Sequence, residues 1–375
     1  MRYTALRDVC EINMGQSPDS SSYNEEGRGI PFFQGNADFG ERNPVTRVWC
    51  DAPSKIANAN DILISVRAPI GAINYATETC CIGRGLAAIT PDLNRVSSEY
   101  IFWLLKGKNA ELNSKGTGST FKAINRKALE EIQVPAISLK EQAAYAANLE
   151  AVYKIIQMRR QQLSSLNNLI KARFVEMFGD TILNPFRWDK GSLGVVCDVR
   201  DGTHDSPQYH ETGFPLVTSK NVTGGKIDLT DCSLICEADF EKINERSKVD
   251  IGDIIMPMIG TIGNPVIVEI EPIFAIKNVS LIKFRPVSRV LNTYIRALLQ
   301  SDYFDDAVLS KVRGGTQKFI SLGDIRNLEI LIPPMERQQQ FAAFVAQIDK
   351  SKSVIHKSLD ETQLLFDSLM QKYFG

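Results

Sequence analysis

Two stretches of the chain carry a seven-residue apolar rhythm unbroken by proline or glycine. In the first, Leu139 to Phe178, Leu149, Ile156, Leu163, Ile170 and Met177 recur at every seventh position, and Val152 and Leu166 fall three residues after members of that row. In the second, Met335 to Phe374, Val345, Leu359, Phe366 and Tyr373 share one row, with Ile348, Ile355 and Leu369 on the row three positions later. This spacing predicts helices with a heptad seam. Roughly forty residues at about 1.5 Å each make a rod on the order of 60 Å long, which must pack along its length.

The two rods are copies of each other. Gln142 superposes on Gln338, Lys154 on Lys350, Leu163 on Leu359 and Phe178-Gly179 on Phe374-Gly375, at a constant separation of 196 residues. Matches at polar and terminal positions go beyond what two unrelated amphipathic helices would share, so the chain reads as an internal duplication. With one rod leading away from the first half and the second half turning back, the rods are expected to lie antiparallel.

The segments outside the rods repeat as well. Leu6, Val9, Cys10 and Gly15 match Leu193, Val196, Cys197 and Gly202 at a separation of 187 residues, and Asp61 and Gly71 match Asp253 and Gly263 at 192. β-branched runs ending in Gly-containing turns predict short strands, and SSEYIFWLLKG and LNTYIRALLQS predict short helices that align Tyr100 with Tyr294. The growing separation puts the length differences inside the globular halves. Helix-stop and turn residues in GDTILNPFRWDKGS mark a linker. The expected layout is a globular domain over 1–138, a long helix over 139–180, a second globular domain over 181–334 and a second long helix over 335–375. The fold class is mixed α/β: two β-rich domains in pseudo-twofold arrangement around an antiparallel coiled-coil pair.

Composition changes this picture little. A chain of 375 residues accommodates two or three domains with sizeable cores. No run of eighteen apolar residues exists and the N-terminus lacks a signal-peptide core, so neither a membrane span nor ordinary secretion is expected. Seven cysteines without a framework spacing fit a reducing cytoplasm. Net charge is −1, so any pull on DNA must come from local patches or partner subunits.

Catalytic signatures are missing. The Gly83/Gly85 turn opens no helix, which argues against a dinucleotide site, and no phosphate-binding P-loop is present. Asn184-Pro185-Phe186 resembles the Asn-Pro-Pro-aromatic motif of adenine methyltransferases but lacks its second proline, so a linker turn is the expectation. Cys232 and Cys236 have no histidine at ligand spacing, and His204, His210 and His356 are too few for a nucleophilic triad. No metal is expected.

What remains is a set of polar and cationic loop residues at matched places in both halves. Gly-Thr turns with a lysine, Gly118–Lys122 and Gly314–Lys318, offer backbone N–H groups, the Thr120 or Thr316 hydroxyl and the Lys122 or Lys318 ammonium to a phosphate. Gln34, Asn36, Arg67 and Arg84 in the first half, and Lys220, Asn221, Lys277, Asn278 and Gln317 in the second, are of the types that read base edges. Taken singly, each is more readily a solvated loop residue than a contact. Recurrence in both halves points to DNA contact for the set.

The order of these parts, with PAISLKEQAAYAANL and IPPMERQQQFAAFV opening the two rods, resembles the specificity subunit of Type I restriction–modification systems over essentially the whole chain. Ser138-Leu139-Lys140-Glu141-Gln142 and Pro334-Met335-Glu336-Arg337-Gln338 are similar to the family's Pro-Leu-x-Glu-Gln-Gln pattern, departing from it at Ser138 and Arg337. The resemblance implies a non-catalytic reader of a split, asymmetric double-stranded DNA site, each globular half reading one part. The helices would space the halves and dock two methyltransferase subunits, which would be joined by restriction subunits. S-adenosylmethionine, ATP and Mg would belong to those partners, with no cofactor in this chain. The rival from another class is a coiled-coil scaffold that reads no bases; a methyltransferase in its own right is the enzymatic rival.

Overall fold

The computed structural model describes residues 2–117, 122–259, 262–308 and 319–375. Both heptad stretches are single helices of 40 residues, Leu139–Phe178 and Met335–Phe374. The chain divides into two compact units, Met1–Arg160 with Lys357–Gly375, and Gln161–His356. Each unit therefore owns one end of each long helix, and the division falls inside the helices instead of at the expected limits near 138 and 334. The reason is burial: Leu149, Ile156, Phe366 and Tyr373 are part of the first unit's core.

The first unit comprises β1 (Tyr3–Ala5), β2 (Cys10–Met14), β3 (Ile30–Phe33), β4 (Ile62–Ser65), β5 (Ile73–Tyr75), β6 (Cys80–Ile82), β7 (Leu86–Pro91), α1 (Ser98–Gly107) and β8 (Gln133–Pro135). An antiparallel sheet in the order β2-β7-β4-β5 has apolar residues on both faces. Ile62, Ile64, Ala87 and Ile89 point into the helical core, whereas Leu63, Leu86 and Ala88 point toward Phe33, Cys80 and Ile82 of a second sheet. Alternation along a pleated strand does this automatically, and it explains why these runs read as continuous apolar stretches. In the second sheet β3 lies parallel to β6.

The second unit repeats the plan with β9 (Asp189–Ser192), β10 (Asp198–Asp201), β11 (Phe214–Val217), α2 (Glu237–Ser247), β12 (Ile254–Pro257), β13 (Val266–Ile267), β14 (Ala275–Ile276), β15 (Val279–Lys283), α3 (Asn292–Leu298) and β16 (Glu329–Ile332). Its four-stranded sheet runs β10-β15-β12-β13, and β11 lies parallel to β14. Ile254, Met256 and Ile282 face one core while Ile255, Val279 and Leu281 face the other. The β1–β8 and β9–β16 ribbons then lead into the long helices.

At each of those entries a buried glutamine ties the helix down. Gln142 Oε1 accepts from the Ser97 N–H at 2.8 Å, and its Nε2 donates to the carbonyls of Arg95 (3.1 Å) and Ile137 (3.0 Å). Gln338 repeats the pattern with the Leu291 N–H (2.8 Å) and the carbonyls of Arg289 (2.9 Å) and Pro333 (2.8 Å). Both side chains are sealed from solvent. Each amide thus serves the cap of α1 or α3, the loop before it and the start of a long helix. Tyr100 and Tyr294 act nearby, donating to the Pro135 carbonyl at 3.2 Å and the Leu331 carbonyl at 2.9 Å.

Within each unit the helix ends run antiparallel, as expected. In the first, Tyr145 stacks on Tyr373 with centroids 3.9 Å apart and Tyr153 faces Phe366 at 6.1 Å, so numbers rise on one helix as they fall on the other. In the second, Phe174 meets Phe341 at 5.7 Å and Arg173 lies over Phe344. The predicted seam is buried where it meets a domain core, and only half-buried at Leu163, Leu166, Ile355 and Leu359. Gly179 ends the first long helix at φ +79°, a left-handed backbone that favours glycine, and its N–H reaches the Val175 carbonyl at 2.8 Å. Asn184-Pro185-Phe186 is the linker turn expected, closed by the Asn184 and Trp188 bonds.

Replacing Gln142 or Gln338 with leucine keeps the volume but strands one N–H and two carbonyls in a dry site. At about 1–3 kcal/mol for a buried group left unpaired, each variant is expected to lose roughly 2–5 kcal/mol of stability. Urea unfolding of the full chain measures this; an unchanged midpoint for either variant would show that the amide is dispensable.

Candidate nucleic-acid interface

The candidate residues stand on loops pinned by main-chain bonds. In the first unit the Gly15 N–H donates to the Leu86 carbonyl (2.9 Å), Gln16 to Ile82 (3.0 Å) and Gly83 to Phe33 (2.8 Å). Arg84 N–H reaches Ser17 Oγ at 3.3 Å, and Val66 N–H reaches the Gly85 carbonyl at 2.9 Å. From there Ile124 N–H donates to Val66 and Ala68 N–H to the Lys122 carbonyl, at 2.9 and 3.1 Å. Gly85 is required by closeness, because a Cβ there would stand 2.3 Å from the Gln34 carbonyl. These bonds bring the segments of Gln34, Arg67, Arg84 and Lys122 together along one edge, and all four residues are exposed. Arg67, Arg84 and Lys122 pair with no carboxylate among the described residues. Asn36 sits half-buried in a turn capped by Asp38, whose carboxylate accepts from the Gln34 N–H at 2.7 Å.

Beyond that turn, Arg42 anchors the loop to the body of the unit. Its guanidinium lies 4.5 Å above the Phe102 ring and 5.0 Å from that of Trp103, and it pairs with Glu150 on the long helix. Lys106 joins the same aromatic group, 4.0 Å over Tyr153; burial, helped by Arg42 and Arg160, pulls its ammonium down to about 8.

The second unit has the same pinning. Gly202 N–H donates to Val279 (2.9 Å), Thr203 to Ile276 (3.0 Å), Lys277 to Val217 (2.9 Å) and Ile320 to Met258 (2.9 Å). Its side chains are used differently. Lys277 is largely buried and its Nζ donates to Ser206 Oγ at 2.8 Å, so it is a strut of the loop more than a free cation. Asn221 is buried too: its Oδ1 accepts from the Thr218 N–H (3.0 Å) and hydroxyl (2.9 Å), and its Nδ2 serves the Asp228 and Asp231 carbonyls. That occupation corrects the expectation of a base-reading Asn221. It holds the place that Asp38 holds in the first unit, so Asn36 is not its counterpart. Lys220 is exposed, 3.8 Å from Asp231. Asn278 has φ +56° and faces His204. Thr120, Thr316, Gln317 and Lys318 lie outside the described residues.

In sequence His204 is weighed only as a metal ligand or triad member, although a signal of a different loop is there. The first unit runs Gly15-Gln16-Ser17-Pro18 where the second runs Gly202-Thr203-His204-Asp205-Ser206-Pro207, two residues longer. The His204 ring lies between Asn278 Oδ1, 2.8 Å from Nδ1, and Asp201 Oδ2, 2.9 Å from Nε2. Those two hydrogen bonds, Asn278's first, raise its pKa above the ordinary histidine value. Asp201 is also the ion-pair partner of Arg246 from α2.

Among the described residues no cluster of His, Cys, Asp or Glu could hold a metal ion, and no helix is long and apolar enough to cross a membrane. A family model described as the Type I restriction modification DNA specificity domain matches residues 2–168 and again 185–362. A type I restriction enzyme specificity subunit of Methanocaldococcus jannaschii, MjaIX, is 24% identical over 98% of this chain and 91% of its own length. Another from that organism, MjaX, is 42% identical over 43% of this chain, a match that spans 38% of the relative. The solved S subunit of a Type I restriction–modification system from M. genitalium shares the fold at 16% identity with a TM-score of 0.57, over 100% of this chain and 96% of that one. Two copies of the specificity domain, one over each half of the duplicated sequence, place this chain in the Type I restriction–modification DNA specificity family.

Proposed function

We propose that this chain reads a double-stranded DNA site in two parts, one through each unit, and that it catalyses nothing itself. The observation that carries the reading is the loop edge of each unit. Main-chain bonds hold the segments in place on a repeated scaffold, and in the first unit Gln34, Arg67, Arg84 and Lys122 project freely from it. Free cations of this kind position a duplex through its phosphates, and Arg and Gln side chains beside them read base edges. A scaffold that read no bases would have no use for unpaired cations there.

On this reading the long helices space the units and dock two methyltransferase subunits and, where present, restriction subunits. Methyl transfer from S-adenosylmethionine and ATP-driven work with Mg would fall to those partners. A net charge of −1 suits such a division, since the partners share the clamping of the DNA.

Lys122→Ala is expected to weaken DNA binding without altering the methylated sequence, flattening the salt slope by about one unit. Binding titrations across salt concentration check the slope, and methylation-site mapping checks the sequence; a changed sequence would reassign Lys122 to base contact. Exchanging residues 31–132 for the corresponding segment of a related chain should change one half of the methylated site and leave the other intact. Site mapping that showed both halves altered would refute independent reading by the two units.

A further inference from the structure

The loop at His204 is where the second unit departs from the first, and its chemistry is more specific than a cationic patch. Asp201 is an almost fully buried carboxylate, and when ionised it only accepts, so the ring nitrogen facing it, Nε2, carries a proton. The other nitrogen, Nδ1, faces the Asn278 amide at 2.8 Å. An amide can meet that nitrogen in two ways. A protonated ring donates from Nδ1 to the amide oxygen, leaving the NH2 group turned outward. A neutral ring, with its one proton held toward Asp201, accepts at Nδ1 and draws the NH2 group inward, leaving the carbonyl outward. Asn278 Nδ2 has no hydrogen-bond partner among the described residues, and the half-buried residue takes a left-handed backbone, φ +56°, in the short connection between β14 and β15.

We infer that His204 is a positioning residue for base recognition by the second unit: its ring sets the Asn278 amide to present a donor to the DNA when charged and an acceptor when neutral. The inference rests on the DNA-reading function proposed above and deepens it at one contact. A donor suits the N7 of a purine, the O6 of guanine or the O4 of thymine; an acceptor suits the amino group of adenine or cytosine. The two states therefore prefer different bases.

The charged groups around the ring are Asp201 on β10 and Arg246 on α2, with Asp205 in its own loop and Lys277 beside Asn278. Asp201 favours the imidazolium and Arg246 opposes it, and the bonds to Asn278 and Asp201 outweigh the opposition. With the folded-state value raised, the donor state prevails through the ordinary histidine range and gives way as pH rises through the raised value.

Two measurements test this. In the full chain, two-bond ¹H–¹⁵N spectra of the three histidines, assigned by single substitution, follow the His204 ring directly. His204 is expected to titrate above its unperturbed value with both nitrogens protonated below the midpoint, and the midpoint should fall in Asn278→Ala. A midpoint indifferent to Asn278 overturns the pairing, whatever the DNA does. Next, the chain assembled with its methyltransferase partner selects from a random duplex pool at about pH 6 and about pH 9. One position of the half-site read by the second unit should switch its preferred base, by about tenfold, the scale of one base contact. His204→Gln should abolish the switch. A selected site with the same base at both pH values overturns the inference while leaving DNA reading intact. A pool with no selected sequence at either pH overturns both.

Discussion

A glutamine amide at each long-helix entry is the constraint on which everything else in this molecule depends. Gln142 and Gln338 each tie the start of a long helix to a segment more than forty residues earlier in the chain, and they do so in sealed sites where every bond left unmade costs its full desolvation. Hydrophobic packing alone would let a 40-residue helix slide or roll against its domain, because a heptad seam is tolerant of small shifts. A bidirectional amide tolerates none. Side chains farther along the same helix, Leu149 and Ile156 in one unit and Val345 in the other, then meet their cores in a single register.

Much of this was legible in the chain. Heptad spacing, in stretches free of proline and glycine, marked both helices, because an apolar period of seven has few other physical meanings. The Asp61/Asp253 alignment was also sound: both carboxylates cap turns, accepting the Asn58 and Asp250 N–H groups at 2.8 Å each. What eluded the sequence was how each loop residue is spent. Asn221 and an exposed asparagine look identical in one dimension; burial and four hydrogen bonds distinguish them. Lys277 likewise reads as a free cation in one dimension, yet its ammonium donates to Ser206 Oγ at 2.8 Å. Domain limits followed a similar rule, since sequence shows where a helix begins but not which core claims its ends.

The two units place comparable backbones under different electrostatics. In the first, Arg67 and Arg84 form no ion pair among the described residues, so no fixed carboxylate offsets their charge. In the second, Asp201 gathers both Arg246 and His204, and positive charge is held in a network. On the proposed reading, a duplex would meet loose cations on long stems at the first edge and groups already oriented at the second. The first would adapt to a phosphate at several positions, whereas the second trades adaptability for direction.

The loops at both edges are fastened by their own main chain, through bonds such as Gly83 to Phe33 and Lys277 to Val217. A backbone bond is indifferent to the side chain it carries. Residues such as Gln34 and Arg84 can therefore be exchanged for others with little effect on folding, while Gly85, beneath them, cannot. On the proposed reading, the positions that determine the molecule's shape are separate from those that would determine its vocabulary. If those side chains read bases, a new DNA word could be written on the old frame one letter at a time, with the main-chain bonds left in place.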